Sequence, residues 1–336
     1  MRSAFVALLV CAAPLAAADE PPREPEGEPD PAPRAAPGNP FGDDGPGGPF
    51  YRAEWYPQRP VIGQASDFGM VRQQLNLGAP VWRDRDAGHM LIGNVRVRHT
   101  QFDTAAVLPE SGRAFPGELW NVSFGATYIH KLENGWTAGG SLQIGSASDK
   151  PFNGIREMTL GGVAFLKVPA HRDPDSWTFG LAYFPNGQVN FPLPAISYDW
   201  NPTDRLRVSI GLPFAVRWQP TDEWLVQIRY RPLTQVDARV SWTPHERVTA
   251  FGGFEWTNEG YFLAGRPNRN DRFFGFEKRL FAGVTVYPHK RVGVEASTGY
   301  AFDRVYGTGQ TRRTAEDRGV EIGPGAFLAL AVRGRF

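Results

Sequence analysis

Six histidines have the widest chemical range of any residues in this chain: His89, His99, His130, His171, His245 and His289. A neutral imidazole can ligate a metal or act as a general base. None of the six falls into a His-x-His, His-x3-His or His-Glu-x2-His spacing, which would put two ligands on one face, so no metal centre is expected. His245 and His289 lie inside proline-containing turns, and the set reads as solvated turn or interface residues. A hydrolase would need Ser and His on one face of neighbouring strands, with a third group orienting the base. His130 and Ser141 do sit on the two arms of one hairpin. Alternation, however, puts His130 with Tyr128 on the apolar face and Ser141 on the other. With no Gly-x-Ser-x-Gly elbow and no phosphate-binding glycine loop, the chain is not expected to be an enzyme or to carry a cofactor.

The arginines follow a pattern. Where even-numbered residues carry the apolar face, Arg205, Arg207, Arg217, Arg229, Arg231 and Arg239 occupy the opposite one, and Arg96 and Arg98 do the same on an earlier segment. If the apolar face meets lipid, mid-membrane charge on that face is costly, so these eight should line an interior. Unneutralised, they would form a basic wall that attracts anions. Asp199, Asp237, Glu255 and Glu295 also fall on the non-apolar face, and their close spacing favours pairing with the arginines in a filled interior.

Both readings require strands. From about residue 69 the chain is a succession of period-two segments separated by polar, Gly or Pro turns. Leu91, Gly93, Val95 and Val97 oppose Asn94, Arg96 and Arg98. Trp120, Val122, Phe124, Ala126 and Tyr128 lead through Glu133-Asn134-Gly135 into Trp136, Ala138, Gly140, Leu142 and Ile144, which predicts a hairpin. Further runs cover 158–168, 177–183, 196–200, 206–218, 224–230, 236–242, 248–256, 280–286 and 292–300, and no segment has helical periodicity. Several turns share a degenerate pattern: Trp200, Pro202 and Asp204; Trp218, Pro220 and Asp222; Trp242, Pro244 and Glu246; and, one residue shorter, Tyr287, Pro288 and Lys290. Each starts on an aromatic ring, which suits a membrane interface, and uses Pro to end the ladder. Residues 264–272 and 307–319 read as long extracellular connections, and 243–247 and 288–291 as short periplasmic turns. Between Trp200 and Trp218 there is room for one long strand or two short ones broken at Leu212-Pro213. The count is about 14 strands, within a range of 12 to 16.

Arg2, the apolar run 4–15 and Ala16-Ala17-Ala18 predict a signal peptide over residues 1–18, cleaved before Asp19. The sole cysteine, Cys11, lies inside it, preceded by Val10 where a lipoprotein signal wants a small residue, so the exported chain has no thiol. Residues 19–60 read as an acidic leader, Pro/Gly-rich up to residue 50 and too poor in apolar residues to order itself. Residues 61–336 make up the strand-rich domain. Beyond the signal no apolar run approaches the roughly 20 residues of a spanning helix. A net charge of +1 gives no sign of nucleic-acid binding.

Residues 327–336 alternate up to a closing aromatic, with Leu328, Leu330, Val332, Gly334 and Phe336 on one face and Arg333 and Arg335 on the other. This ending resembles the C-terminal strand of bacterial outer-membrane β-barrels, and the run of motifs is similar to an uncharacterised domain-of-unknown-function family of that class. The resemblance implies an all-β, antiparallel transmembrane barrel behind a disordered leader. It also implies a location in the outer membrane, contact with its lipid, and Phe336 as a signal read by the barrel assembly machinery. It carries no ligand residues and leaves the oligomeric state open. The expected function is a passive pore or structural barrel for small, anionic solutes. The alternatives are a component of a specific uptake or export channel, and a secreted soluble β-protein that binds a ligand through exposed aromatics.

Overall fold

A computed structural model describes residues 48–84, 86–109, 111–184, 191–231 and 235–334. The signal-peptide span, most of the leader and Phe336 lie outside the described residues.

The period-two segments form strands β1 (Phe50–Pro60), β2 (Asp67–Asp84), β3 (His89–Thr104), β4 (Glu118–Lys131), β5 (Thr137–Ser148) and β6 (Met158–Pro169). They continue as β7 (Ser176–Tyr183), β8 (Leu193–Thr203), β9 (Leu206–Gly211), β10 (Phe214–Trp218), β11 (Trp224–Arg231) and β12 (Gln235–His245). The last are β13 (Val248–Tyr261), β14 (Arg272–His289), β15 (Val292–Gly309), β16 (Val320–Ile322) and β17 (Gly325–Gly334), with one short helix, α1 (Arg312–Asp317), before β16. From β1 to β16 each strand pairs antiparallel with the next in sequence. Both β16 and β17 pair with β15, forming one broken stave, and β17 closes the ring on β1 through pairs such as Phe50 with Arg333. The result is a closed barrel of 16 staves. Closure removes the free edges, so every strand ladder is satisfied without water.

The structure sharpens two expectations. The count is 16, at the upper end of the expected 12 to 16: the stretch between Trp200 and Trp218 makes two short strands, β9 and β10, and β1 adds one more stave. Gly211 makes the tip of that hairpin possible: its φ is +133°, and a Cβ there would sit 2.2 Å from the Ile196 carbonyl oxygen. The leader boundary at residue 60 is also corrected. Phe50–Pro60 is β1, paired on both edges, because Tyr51, Ala53 and Trp55 alternate with Arg52, Glu54 and Tyr56 as in any other stave.

All four aromatic-proline turns fall at the barrel end that carries Phe50 and Gly334, while the long connections 105–117, 149–157 and 262–271 lie at the other. Trp82, Trp136, Trp177, Trp200, Trp218, Trp224 and Trp242 sit near the turn end, and all are exposed. Beyond them the outer face carries exposed Phe124, Leu142, Leu160, Leu181, Ile196, Leu280, Val284 and Leu330. A continuous apolar band above an aromatic belt is what a lipid-facing wall requires. At the loop end of β14 the outward Phe274 and Phe276 are instead covered by Ala315 of α1.

Candidate functional site: a lumen divided in two

At the loop end, the Phe262 amide donates to the Ala147 carbonyl at 2.7 Å. Ala147 is the penultimate residue of β5 and Phe262 follows β13. Between them lie seven staves on one side (β14, β15, β17, β1, β2, β3, β4) and seven on the other (β6 to β12). Opposite walls therefore touch, and a seam splits the mouth into two lobes. Side chains reinforce it: the Ala264 amide donates to Asp149 at 2.7 Å, and Arg266 pairs with Glu157 at 3.2 Å.

The lobe bounded by β14 to β4 is filled. Towards the loop end, Phe68, Phe102, Phe115, Phe273 and Tyr306 pack ring against ring, with Leu108 and Phe115 of the 105–117 connection tucked in from above. Below them lies a buried ionic network. Glu54 contacts Arg279 and Arg52 at 2.8 Å and Arg72 at 3.2 Å, and Arg279 reaches Glu255 at 2.6 Å. Glu277 accepts from the Tyr56 hydroxyl at 2.7 Å and pairs with Arg304 at 3.3 Å. Arg98 of β3 pairs with Glu259 of β13 across the lumen. Charges this deep persist only when each meets an opposite charge, and here both signs interleave.

The lobe bounded by β6 to β12 differs. On its inner face the strand register lines up Arg207, Arg217, Gln227 and Arg239 across β9, β10, β11 and β12. Arg207 and Arg217 are direct cross-strand partners, both exposed, and neither pairs with a carboxylate among the described residues. Like charges directly opposite repel, and this pair persists because water reaches it. Arg239 stacks 3.7 Å from the Phe251 ring centroid and meets Glu295 at 3.4 Å, which also holds Arg333. One register step away Arg229 pairs with Asp237 at 3.2 Å, and Arg231 hydrogen-bonds Gln235.

The expected residues thus divide. Arg207, Arg217, Arg229, Arg231 and Arg239 share one wall. Arg98 belongs to the filled lobe, and Arg96 shares the inner face with its cross-strand partner Ser123. Arg205 sits in the β8–β9 turn and ties it to the next turn through Asp222 at 2.9 Å and the Pro220 carbonyl at 3.1 Å. Asp199 pairs with Lys167 at 2.8 Å rather than with an arginine, and accepts from Ser209 at 2.8 Å. Sequence reasoning missed Glu54, Arg72, Glu259, Glu277, Arg279 and Arg304. Glu54 fell inside the supposed leader, and β14 was started at residue 280 instead of Arg272. Continuing the odd-number alternation back from Gly283 through Phe281 would have found Arg279 and Glu277.

His89 and His130 lie ring to ring at 4.0 Å on the outer face, with Tyr128 bonded to His89 at 2.7 Å. Ser141 is cross-strand to the buried, inward Thr127, on the opposite side of the wall from His130. Among the described residues no group of three or more His, Cys, Asp or Glu could hold a metal ion.

The sequence profile of a family described as Domain of unknown function (DUF6268) matches residues 84–255. No curated protein matches the chain. Among solved structures, the chain is similar to an outer membrane channel, COG4313, from Pseudomonas putida F1, at 10% identity and TM-score 0.34, covering 92% of this chain and 100% of that one. It is also similar to the Pseudomonas putida toluene transporter TodX, at 10% identity and TM-score 0.37, covering 86% and 90% of the two chains. A third similarity is to the beta domain of the Bordetella autotransporter Brka, at 14% identity and TM-score 0.32, covering 86% and 99%.

Proposed function

We propose that this chain, which belongs to the DUF6268 family, is an outer-membrane pore that conducts small anionic solutes through the lobe bounded by β6 to β12. The cross-strand pair Arg207 and Arg217 carries this reading: it places exposed positive charge, unpaired with any carboxylate among the described residues, on an inner wall. Fixed positive charge concentrates anions and repels cations. The filled lobe then serves as a rigid buttress. Support for a membrane location comes from the exposed apolar band and the tryptophan belt. In this reading export follows cleavage after Ala18, insertion uses the barrel assembly machinery with Phe336 as its signal, and the protein catalyses no reaction.

Conductance of the purified full-length protein in a planar bilayer tests the proposal. Discrete channels with a reversal potential favouring anions are expected, and the absence of any conductance would leave a closed structural barrel. Outer-membrane fractionation and a boiling-dependent gel shift test the location. Recovery from the periplasm without detergent would favour a soluble ligand-binding β-protein.

A further inference from the structure

A cavity of about 850 Å³ opens at the loop end beside the seam, over β6 and β7. Its volume is that of a small-molecule site. Four arginines line it, Arg156, Arg266, Arg269 and Arg272, together with Tyr183 and Phe262. Arg266 is structural. Beyond its pairing with Glu157, it donates to the Arg156 carbonyl at 2.8 Å and the Arg269 carbonyl at 3.3 Å, and its guanidinium lies 4.9 Å from the Phe262 ring. One buried side chain thereby fixes the backbone of Arg156 and of Arg269 on two different loops that form the lips of the cavity. The guanidinium groups of Arg156 and Arg269 are exposed, and neither makes an ion pair among the described residues. Of the nearby carboxylates, Glu157 is engaged by Arg266 and Asp149 by the Ala264 amide, and Asp271 is not among the lining residues. Ile155 and Met158 add exposed apolar surface to the same lining.

We propose that this cavity binds organic dicarboxylates with an apolar body, delivering them to the pore; the delivery step rests on the pore reading above. Two exposed guanidinium forks, carried by two loops that Arg266 ties together, suit two carboxylates, each taken up bidentately. The aromatic and aliphatic lining accepts the carbon skeleton between them. An inorganic anion could use the forks but not the lining.

The test is calorimetric titration of phthalate into the full-length protein in detergent micelles, with a boiling-dependent gel shift confirming that each variant is folded. Saturable binding is expected, weakened about tenfold by Arg156→Gln or Arg269→Gln, the loss of one charge-assisted hydrogen-bonding group. Arg313→Gln, on the exposed helix α1 outside the cavity, should leave binding unchanged. No saturable binding, binding indifferent to both cavity variants, or equal weakening by Arg313→Gln would overturn the site. Inorganic phosphate binding as tightly as phthalate would overturn the role of the apolar lining. Phthalate binding that needs both arginines in a protein without conductance would refute the pore and leave the site standing. Conductance without phthalate binding would do the reverse.

Discussion

The 2.7 Å hydrogen bond between the Phe262 amide and the Ala147 carbonyl joins backbone from opposite walls of a 16-stave barrel. Adjacent staves bond as a matter of course. Opposite ones meet only where the cross-section is flattened, and here that contact separates a packed half from a wetted one.

Weakening the seam should widen the mouth. Arg266→Ala removes the pairing with Glu157 and leaves that buried carboxylate without its partner. Breaking a buried pair costs about 3–5 kcal/mol, enough to undock the 262–271 connection while the strand ladders hold. Single-channel conductance should rise with the gel shift retained. Unchanged conductance would place the seam away from the current path.

Selectivity should depend on the unpaired arginines more than on the paired ones. Replacing both Arg207 and Arg217 by Gln should move the reversal potential in a salt gradient towards cations. Replacing Arg229 by Gln and Asp237 by Asn together should act less, because it removes one charge of each sign. Preference should also fade between 0.1 M and 1 M salt, as the screening length drops from about 10 Å to about 3 Å.

Arg279 holds the filled lobe together. Arg279→Met keeps much of the volume but leaves Glu54 and Glu255 short of a shared partner. Loss of about 3–5 kcal/mol is expected, read as a lower temperature for conversion to the unfolded band. Ion selectivity should stay the same, since the variant lies outside the wetted lobe.

Truncation from the N-terminal side should show a sharp threshold. Deleting 19–47 spares every described residue that pairs in the barrel, so the heat-modifiable band should persist. Extending the deletion through Pro60 removes β1 and leaves β17 and β2 as open edges, and folded protein should be lost. A folded band after the longer deletion would show that the remaining staves can reseal.

Acid should act at the β6–β7 turn. The Asn201 amide and the Tyr198 hydroxyl donate to Asp175 at 2.7 and 2.8 Å, the amide foremost, and hold its carboxyl below the usual range. A carboxylate with a depressed pKa stabilises the fold fully above the ordinary value of about 3.9 and loses that contribution as pH falls through the folded value. Asp175→Asn should therefore unfold at lower temperature near neutrality and converge with the wild type in strong acid. A constant gap across that range would assign the effect to packing.

Much of this protein is local and therefore legible in its sequence. Period-two alternation put Arg207, Arg217, Arg229, Arg231 and Arg239 on one face, and the aromatic-proline turns marked one barrel end, because side-chain direction along a strand depends only on the strand itself. The same logic separated His130 from Ser141. It failed in the first halves of β1 and β14, where Glu54 was lost to a proline-rich neighbourhood and Arg279 to a start placed too late. No periodicity could have paired Arg98 with Glu259 or Phe262 with Ala147, because a partner across the lumen is set by how the closed wall flattens. That flattening was decided by tertiary packing: a group of aromatics and interleaved charges able to fill one half of the interior, beside a row of like charges that could only remain in water.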